Sequence, residues 1–436
     1  MGDWLRPAGV LLSLLLLTAC ATKNEVEPPP LLKGGVYDYP ISDAFAATVV
    51  GTPVAYRLDL SNDYKVEALR LQIFPERVIP DIFWYNDRLE VAFAPQEGPA
   101  PLIFNIAGTG SGSDARLVRH LESVFVARGF HVISLPSPTF PNFVVSGSET
   151  SVPGRINDDA RDLYHAMQVA YERVKDEIEV TEFYLTGYSL GAWEAAFVSA
   201  LDEKEQVFDF KQVLMINPPV SLYRSISILD NLLIDNVQGG INGVPAFFDE
   251  VFAAFSEIYK RSSHVNFSDD FLFRIYKELE PSDQRLAALI GLAFRLSSNS
   301  MIFSADVMTD TGFIVPQGVK LDTGTSLTTY FQTGARVGFV DYLQEFYYPY
   351  FKRRDPELTR EDLVDEASLK AIEGYLRETE KIGLITNRDD IILGPGDLTY
   401  LEAVFGPRAR IFPTGGHLGN LEHRTVSAYV GNYFVN

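Results

Sequence analysis

Between residues 101 and 219 short apolar runs alternate with longer amphipathic ones, and that rhythm admits few folds. PLIFNIAG, FHVISL, FYLTG and QVLMINPP are each four to eight residues of mostly apolar character, the signature of strands buried on both faces. Between them lie an amphipathic stretch over Ala115–Arg128, closed by Gly129, and the run INDDARDLYHAMQVAYERVKDEI, both helical in period. Strands alternating with helices of this length predict a parallel sheet covered on both sides, an α/β fold. Upstream, EALRLQIF alternates like a strand, and DIFWYNDRLEVAF is expected to form a hairpin turning at Asn86-Asp87.

From about Leu222 to Asp365 the rhythm stops. Phe-rich helical patterns (DEVFAAFSEIY, DFLFRIYKEL), a Gly/Thr-rich passage near Thr309–Gly338 and the cluster EFYYPYF occupy this stretch. Then the alternation resumes with helix DEASLKAIEGYLRETEKI, strand GLITN, a helix near Leu398–Phe405, strand ARIFP and a last helix from about His423. The expected organisation is therefore an α/β core over 36–221 and 366–436, interrupted by a largely helical cap over 222–365. The aromatics of that cap either line a groove for an acyl chain or form its own core.

Composition sets limits rather than answers. With 46% hydrophobic and 22% charged residues the chain has ample material for a core. Fifty-eight acidic against 37 basic side chains give a net charge of −21, a field that repels phosphate backbones and speaks against a nucleic-acid partner. The single cysteine, Cys20, forbids an intramolecular disulfide and any Cys-based metal site. It closes MGDWLRPAGVLLSLLLLTAC, in which Arg6 precedes an apolar run over Val10–Leu17 that is too short to span a bilayer and has the length of a secretory h-region. Leu17-Thr18-Ala19-Cys20 resembles the lipobox of bacterial lipoproteins. That resemblance implies removal of 1–19, acylation of Cys20, and attachment to the cell envelope through an N-terminal lipid anchor. With Ala21 and no aspartate after the cysteine, it implies the outer membrane in a Gram-negative host. The Pro-rich stretch within 20–35 reads as a tether.

Within the α/β core one pentapeptide carries chemistry. Gly187-Tyr188-Ser189-Leu190-Gly191 lies where strand FYLTG gives way to a helix. Alone it decides little, since at ordinary glycine and serine frequencies it arises by accident in roughly one chain in seven of this length. Its position decides more: a serine on a tight strand-to-helix turn stands exposed at the sheet's C-terminal edge, where ligands bind in parallel sheets. A serine hydroxyl is a weak nucleophile and needs a base within hydrogen-bond reach and an acid to orient that base. Of the six histidines, His120 and His165 fall within helices, His131 opens a strand and His264 lies in the insertion. His417, in PTGGHLGN directly after strand ARIFP, is the candidate base, with His423 at a helix start as its competitor. For the acid, Asp389 and Asp390 both stand where strand GLITN ends, and either could instead cap the next element.

The elbow around Ser189, then an acid, then Gly-Gly-His417, in that order along the chain, resemble an α/β-hydrolase with a Ser-Asp-His triad. In that family the acid loop often reads Asp-Pro-Ile-Val-Pro-Pro-Glu-Asp-Leu. Asp390-Ile391-Ile392-Leu393-Gly394-Pro395-Gly396-Asp397-Leu398 aligns with it without a gap, which favours Asp390 over Asp389. The resemblance further implies an oxyanion hole from the backbone N–H of Leu190 and of Thr109. Family members often carry His-Gly where this chain has Ala107-Gly108-Thr109-Gly110, a mild departure because backbone amides do the work. Gly110-x-Gly112-x-x-Ala115 also fits a dinucleotide fingerprint, but such a site expects an acid at the end of the next strand, and VISLPSP offers none. The function so implied is hydrolysis of an ester or related acyl bond on a small-molecule or lipid-like substrate, through an acyl-enzyme, with no metal or organic cofactor. The alternative is a surface lipoprotein that keeps the fold for binding without turnover.

Overall fold

The computed structural model describes residues 30–61, 63–261, 273, 276–277 and 280–435. Cys20, the leader over 1–19, most of the tether, His264 and most of DFLFRIYKEL lie outside the described residues.

Eight strands form one sheet: β1 (Glu67–Leu71), β2 (Leu89–Ala94), β3 (Ala100–Ile106), β4 (His131–Leu135), β5 (Val180–Tyr188), β6 (Val213–Ile216), β7 (Ile382–Asn387) and β8 (Ala409–Phe412). Their order is β1-β2-β4-β3-β5-β6-β7-β8. β2 runs antiparallel to both its neighbours, and β3 to β8 are all parallel. The helices of this half are α1 (Ala44–Val50), α2 (Arg116–Val126), α3 (Pro141–Ser146), α4 (Ile156–Val174) and α5 (Leu190–Glu205).

The apolar strands divide their side chains between two covered faces. Leu102, Phe104 and Ile106 of β3 join Leu163 and Met167 of α4 and Trp193 and Ala196 of α5 in one core. Ile103, pointing the other way, joins Val132, Leu214 and Ile385 with Val118 and Phe125 of α2 and Val426 of the C-terminal helix Arg424–Tyr433. Complete burial of each such Leu, Ile or Phe contributes about 1.5–3 kcal/mol, and it fixes the sheet in the middle layer.

Two local expectations are overturned. DIFWYN does not form a strand: Asp81–Asn86 is a 3-10 helix, and β2 pairs instead with the upstream EALRL, Leu71 opposite Leu89. Pro80 starts the turn. The adjacent Ile82 and Phe83 are both buried, Phe83 edge-on to Phe303, which an alternating strand could not achieve. The single helix expected over 365–382 is broken into Arg360–Glu366, a 3-10 turn Leu369–Ile372 and Glu373–Glu378. The break arises because 367–369 bond across to the exit of β6: Leu222 N–H donates to Ala367 O at 3.0 Å, and Leu369 N–H to Val220 O at 2.9 Å.

β6 and β7 are neighbours in the sheet, yet everything from 217 to 381 lies between them. That stretch holds α6 (Leu222–Ile234), α7 (Val244–Arg261), α8 (Asp283–Thr309), a short helix Thr328–Gly334 and a π-helical turn Tyr342–Tyr347. Its buried Ile302, Phe303, Leu343, Phe346 and Phe351 share a core with Phe83, Val144 and Val145 from connections of the α/β half. α8 is long and apolar enough to cross a membrane by length and composition, but half of that window is buried. Midway along it Arg295 is 1% exposed and ion-paired with the buried Asp230 of α6. Such a pairing suits a core helix.

Candidate active site

The site begins with the turn at the end of β5. Ser189 has φ +54° and ψ −122°, a strained conformation for a non-glycine residue, and α5 starts at the next residue. Two glycines make the turn sterically possible. A Cβ on Gly187 would lie 2.3 Å from the carbonyl oxygen of Gly191, and a Cβ on Gly191 would lie 2.3 Å from that of Ile106. The amide of Ser189 donates to Ile216 O at 2.8 Å, tying the turn to the end of β6.

The ends of β7 and β8 bring two more side chains to this point. His417 Nε2 is 2.9 Å from Ser189 Oγ, and its Nδ1 is 2.9 and 3.2 Å from the two carboxylate oxygens of Asp390. An ionised Asp390 can only accept, so Nδ1 carries the proton and Nε2 is left to accept from the serine. Asp390 is itself held: Asn217 Nδ2 donates to Oδ2 at 2.7 Å and the Ile392 amide to Oδ1 at 3.2 Å.

Asp389, the neighbouring carboxylate, bonds elsewhere. It accepts the amides of Gly415 and Gly416 at 3.1 and 3.0 Å and so shapes the loop that carries His417; burial raises its pKa. His423 is fully buried and bonded to Asp38 at 3.0 Å, where it also caps the C-terminal helix. Burial pushes His120 down to about 3, and the ring bonds to Ser427; His131 Nδ1 accepts from the Gln96 amide.

Two supports had no expectation attached to them. One is Asn217, whose φ of +50° at the end of β6 turns its amide toward Asp390; an asparagine closing a strand was the available signal. The other is the N-terminal segment. The His417 amide donates to Thr48 Oγ1 at 2.8 Å, Tyr37 Oη donates to Thr414 O, and Gly416 lies so close to Ala44 O that a Cβ would stand 2.2 Å away. α1 is thus a wall of the histidine loop.

Thr109 and Leu190 both line one cavity beside the turn, together with Leu222, Ile226, Met301, Ile302, Phe339 and Leu343. Its atom-free space is about 900 Å³, the open mouth included. The loop bearing Thr109 is fixed by Gly110 N–H to Thr139 Oγ1 at 2.8 Å and lies against the Tyr188 ring, which a Cβ on Gly108 would approach to 2.6 Å.

Strand order, the antiparallel β2, and a serine on the turn after β5 define the α/β-hydrolase fold. No protein-family model matches the chain, and no curated protein matches it in sequence. Solved structures similar to it include a putative hydrolase of Legionella pneumophila (11% identity, TM-score 0.43, covering 86% of this chain and 90% of that one). An esterase of Pyrococcus furiosus has 9% identity and a TM-score of 0.40, over 85% and 91% of the two chains. A third is a mutant esterase, at 12% identity and TM-score 0.41, over 89% and 85%.

Proposed function

We propose that the protein is a serine hydrolase that cleaves an ester or related acyl bond through an acyl-enzyme. The observation that carries this reading is the continuous chain of hydrogen bonds from Ser189 through His417 to Asp390. In this mechanism His417 Nε2 takes the proton as Ser189 Oγ adds to the carbonyl carbon. The amides of Thr109 and Leu190 receive the developing oxyanion, and the imidazolium, held by Asp390, returns the proton to the leaving group. Water then repeats the cycle to release the acid. A fluorophosphonate probe tests it: labelling of Ser189 that disappears in Ser189→Ala supports an activated serine. Absence of labelling in the intact protein would leave a binding protein built on a hydrolase fold.

The apolar cavity is assigned to the acyl group, and the 222–365 segment to substrate selection, since α6, α8 and the Tyr342–Tyr347 turn supply most of the wall. Ile226→Trp fills part of that space. Across a series of p-nitrophenyl esters the optimum should move to shorter chains while probe labelling persists; an unmoved optimum would count against the assignment.

We also propose attachment to the cell envelope through an acylated Cys20, on the lipobox-like Leu17–Cys20. Mass spectrometry of the mature protein should find a diacylglyceryl-modified N-terminal cysteine. An unmodified Cys20 would sink the idea.

A further inference from the structure

The cavity beside Ser189 is apolar, but two residues on its wall carry a polar atom without a hydrogen-bond partner. Asp159, in the first turn of α4, is 2% exposed. Its Oδ2 accepts the Gly154 amide at 2.6 Å, while Oδ1 has no partner. Tyr342 is 4% exposed, and its hydroxyl has no partner either. Both residues line the same cavity. A buried polar group left unpaired is unfavourable, so two on one wall are a standing cost unless a ligand completes them. Tyr342 also opens the π-helical turn Tyr342–Tyr347, a rare geometry that recurs at functional sites.

The protonation of the pair defines what it can hold. Burial raises the Asp159 pKa well above the carboxylate range, and Asp162 and Asp158 push it the same way. Glu194, wholly buried close by, is raised by burial and then by Asp159 and Asp162. This biases the Asp159 carboxyl toward its neutral form, which can donate as well as accept. Burial keeps the Tyr342 hydroxyl protonated as well. Arg295 on the same wall is paired with Asp230, so the two add no net charge, and the mostly apolar lining weighs against a charged ligand group.

We propose that Asp159 and Tyr342 form a recognition site for an uncharged oxygen, a hydroxyl or carbonyl-type group carried along the acyl chain away from the scissile bond. The preferred substrates are then oxygenated rather than plain alkyl esters. This rests on the hydrolase reading for its substrate, though not for its binding chemistry. A hydroxyl can accept from Tyr342 and donate to Asp159, completing both; a methylene completes neither. Sites built to bond a substrate oxygen reject analogues lacking it more strongly than apolar pockets reject a missing methylene.

The test uses p-nitrophenyl octanoate and its hydroxylated analogues, with the hydroxyl stepped along the chain. At the best position kcat/KM should exceed that of the plain ester by at least about tenfold. Tyr342→Phe and Asp159→Leu should each bring the ratio close to one, whereas Asp159→Asn, neutral and still able to donate and accept, should keep most of it. Equal kcat/KM for all the esters would overturn the proposal. So would a ratio that survives in Tyr342→Phe, or a preference for an aminoalkyl ester that Asp159→Asn abolishes. Calorimetric binding of the same esters to Ser189→Ala reads the preference without turnover. A reactive serine with no hydroxyl preference removes this site and leaves the hydrolase standing. Hydroxyl-selective binding with an unreactive serine removes the hydrolase and leaves the site.

Discussion

Ser189→Ala should lower kcat toward an activated ester by about six orders of magnitude, His417→Ala should do the same, and the double substitution should be scarcely worse than either. On the proposed mechanism the two groups act as one device: without the imidazole 2.9 Å away the hydroxyl would keep its proton, and without the hydroxyl the imidazole would have nothing to activate. What survives in all three variants is catalysis by binding and oxyanion donors, about 10³–10⁴ over water. Single-turnover kinetics with p-nitrophenyl esters on the three proteins measures this directly. Losses that multiply in the double variant would mean that Ser189 and His417 act in separate steps.

The second large effect separates two adjacent carboxylates. Asp390→Asn should cost about 10⁴ in kcat, because an amide facing His417 Nδ1 no longer enforces the tautomer that leaves Nε2 free to accept. The amide of Asn217, which now donates to Asp390 Oδ2, offers the new side chain an alternative bond to its oxygen and helps hold it in the wrong sense. Asp389→Asn should act through structure instead. It loses one of two bonds to the Gly415 and Gly416 amides, which lowers stability by about 1–3 kcal/mol and kcat by about tenfold. Thermal unfolding and kcat measured on both variants check the split. If Asp389→Asn were the variant that lost four orders of magnitude in kcat, the acid would be misassigned.

What the sequence reveals is what has a local signature. β3, β4, β6 and β7 are legible because strands buried on both faces are largely apolar runs, and the turn at Ser189 is legible because Gly187 and Gly191 are required where backbones touch. Asp390 and His417 are legible as residues that follow strands, and they do converge on Ser189. The contributions of Thr48 and Tyr37 are not, since their hydrogen bonds span 369 and 377 residues of sequence and no periodicity encodes a partner that distant. Nor is the 3-10 turn Asp81–Asn86, whose aromatic-rich residues carry strand propensity that packing under Phe303 overrides. The broken helix after Glu366 is lost for the same reason: Val220 and Ala367 meet only in three dimensions.

The closeness in space of residues 30–52 and 409–434 sets an order of events. Leu32 exchanges hydrogen bonds with Asn432 in both directions at 2.9 Å, and α1 closes over the histidine loop. During synthesis the segment over 30–52 therefore appears early but has nowhere to dock until residues 409–434 have followed it. The turn at Ser189 can assemble from β3, β5 and β6 well before that, as a nucleophile with no base beside it. Because closing so long a loop is slow, a chain still emerging from the ribosome holds Ser189 apart from His417. On the hydrolase reading proposed above, Ser189 would gain its base only once residues 409–434 have joined the fold.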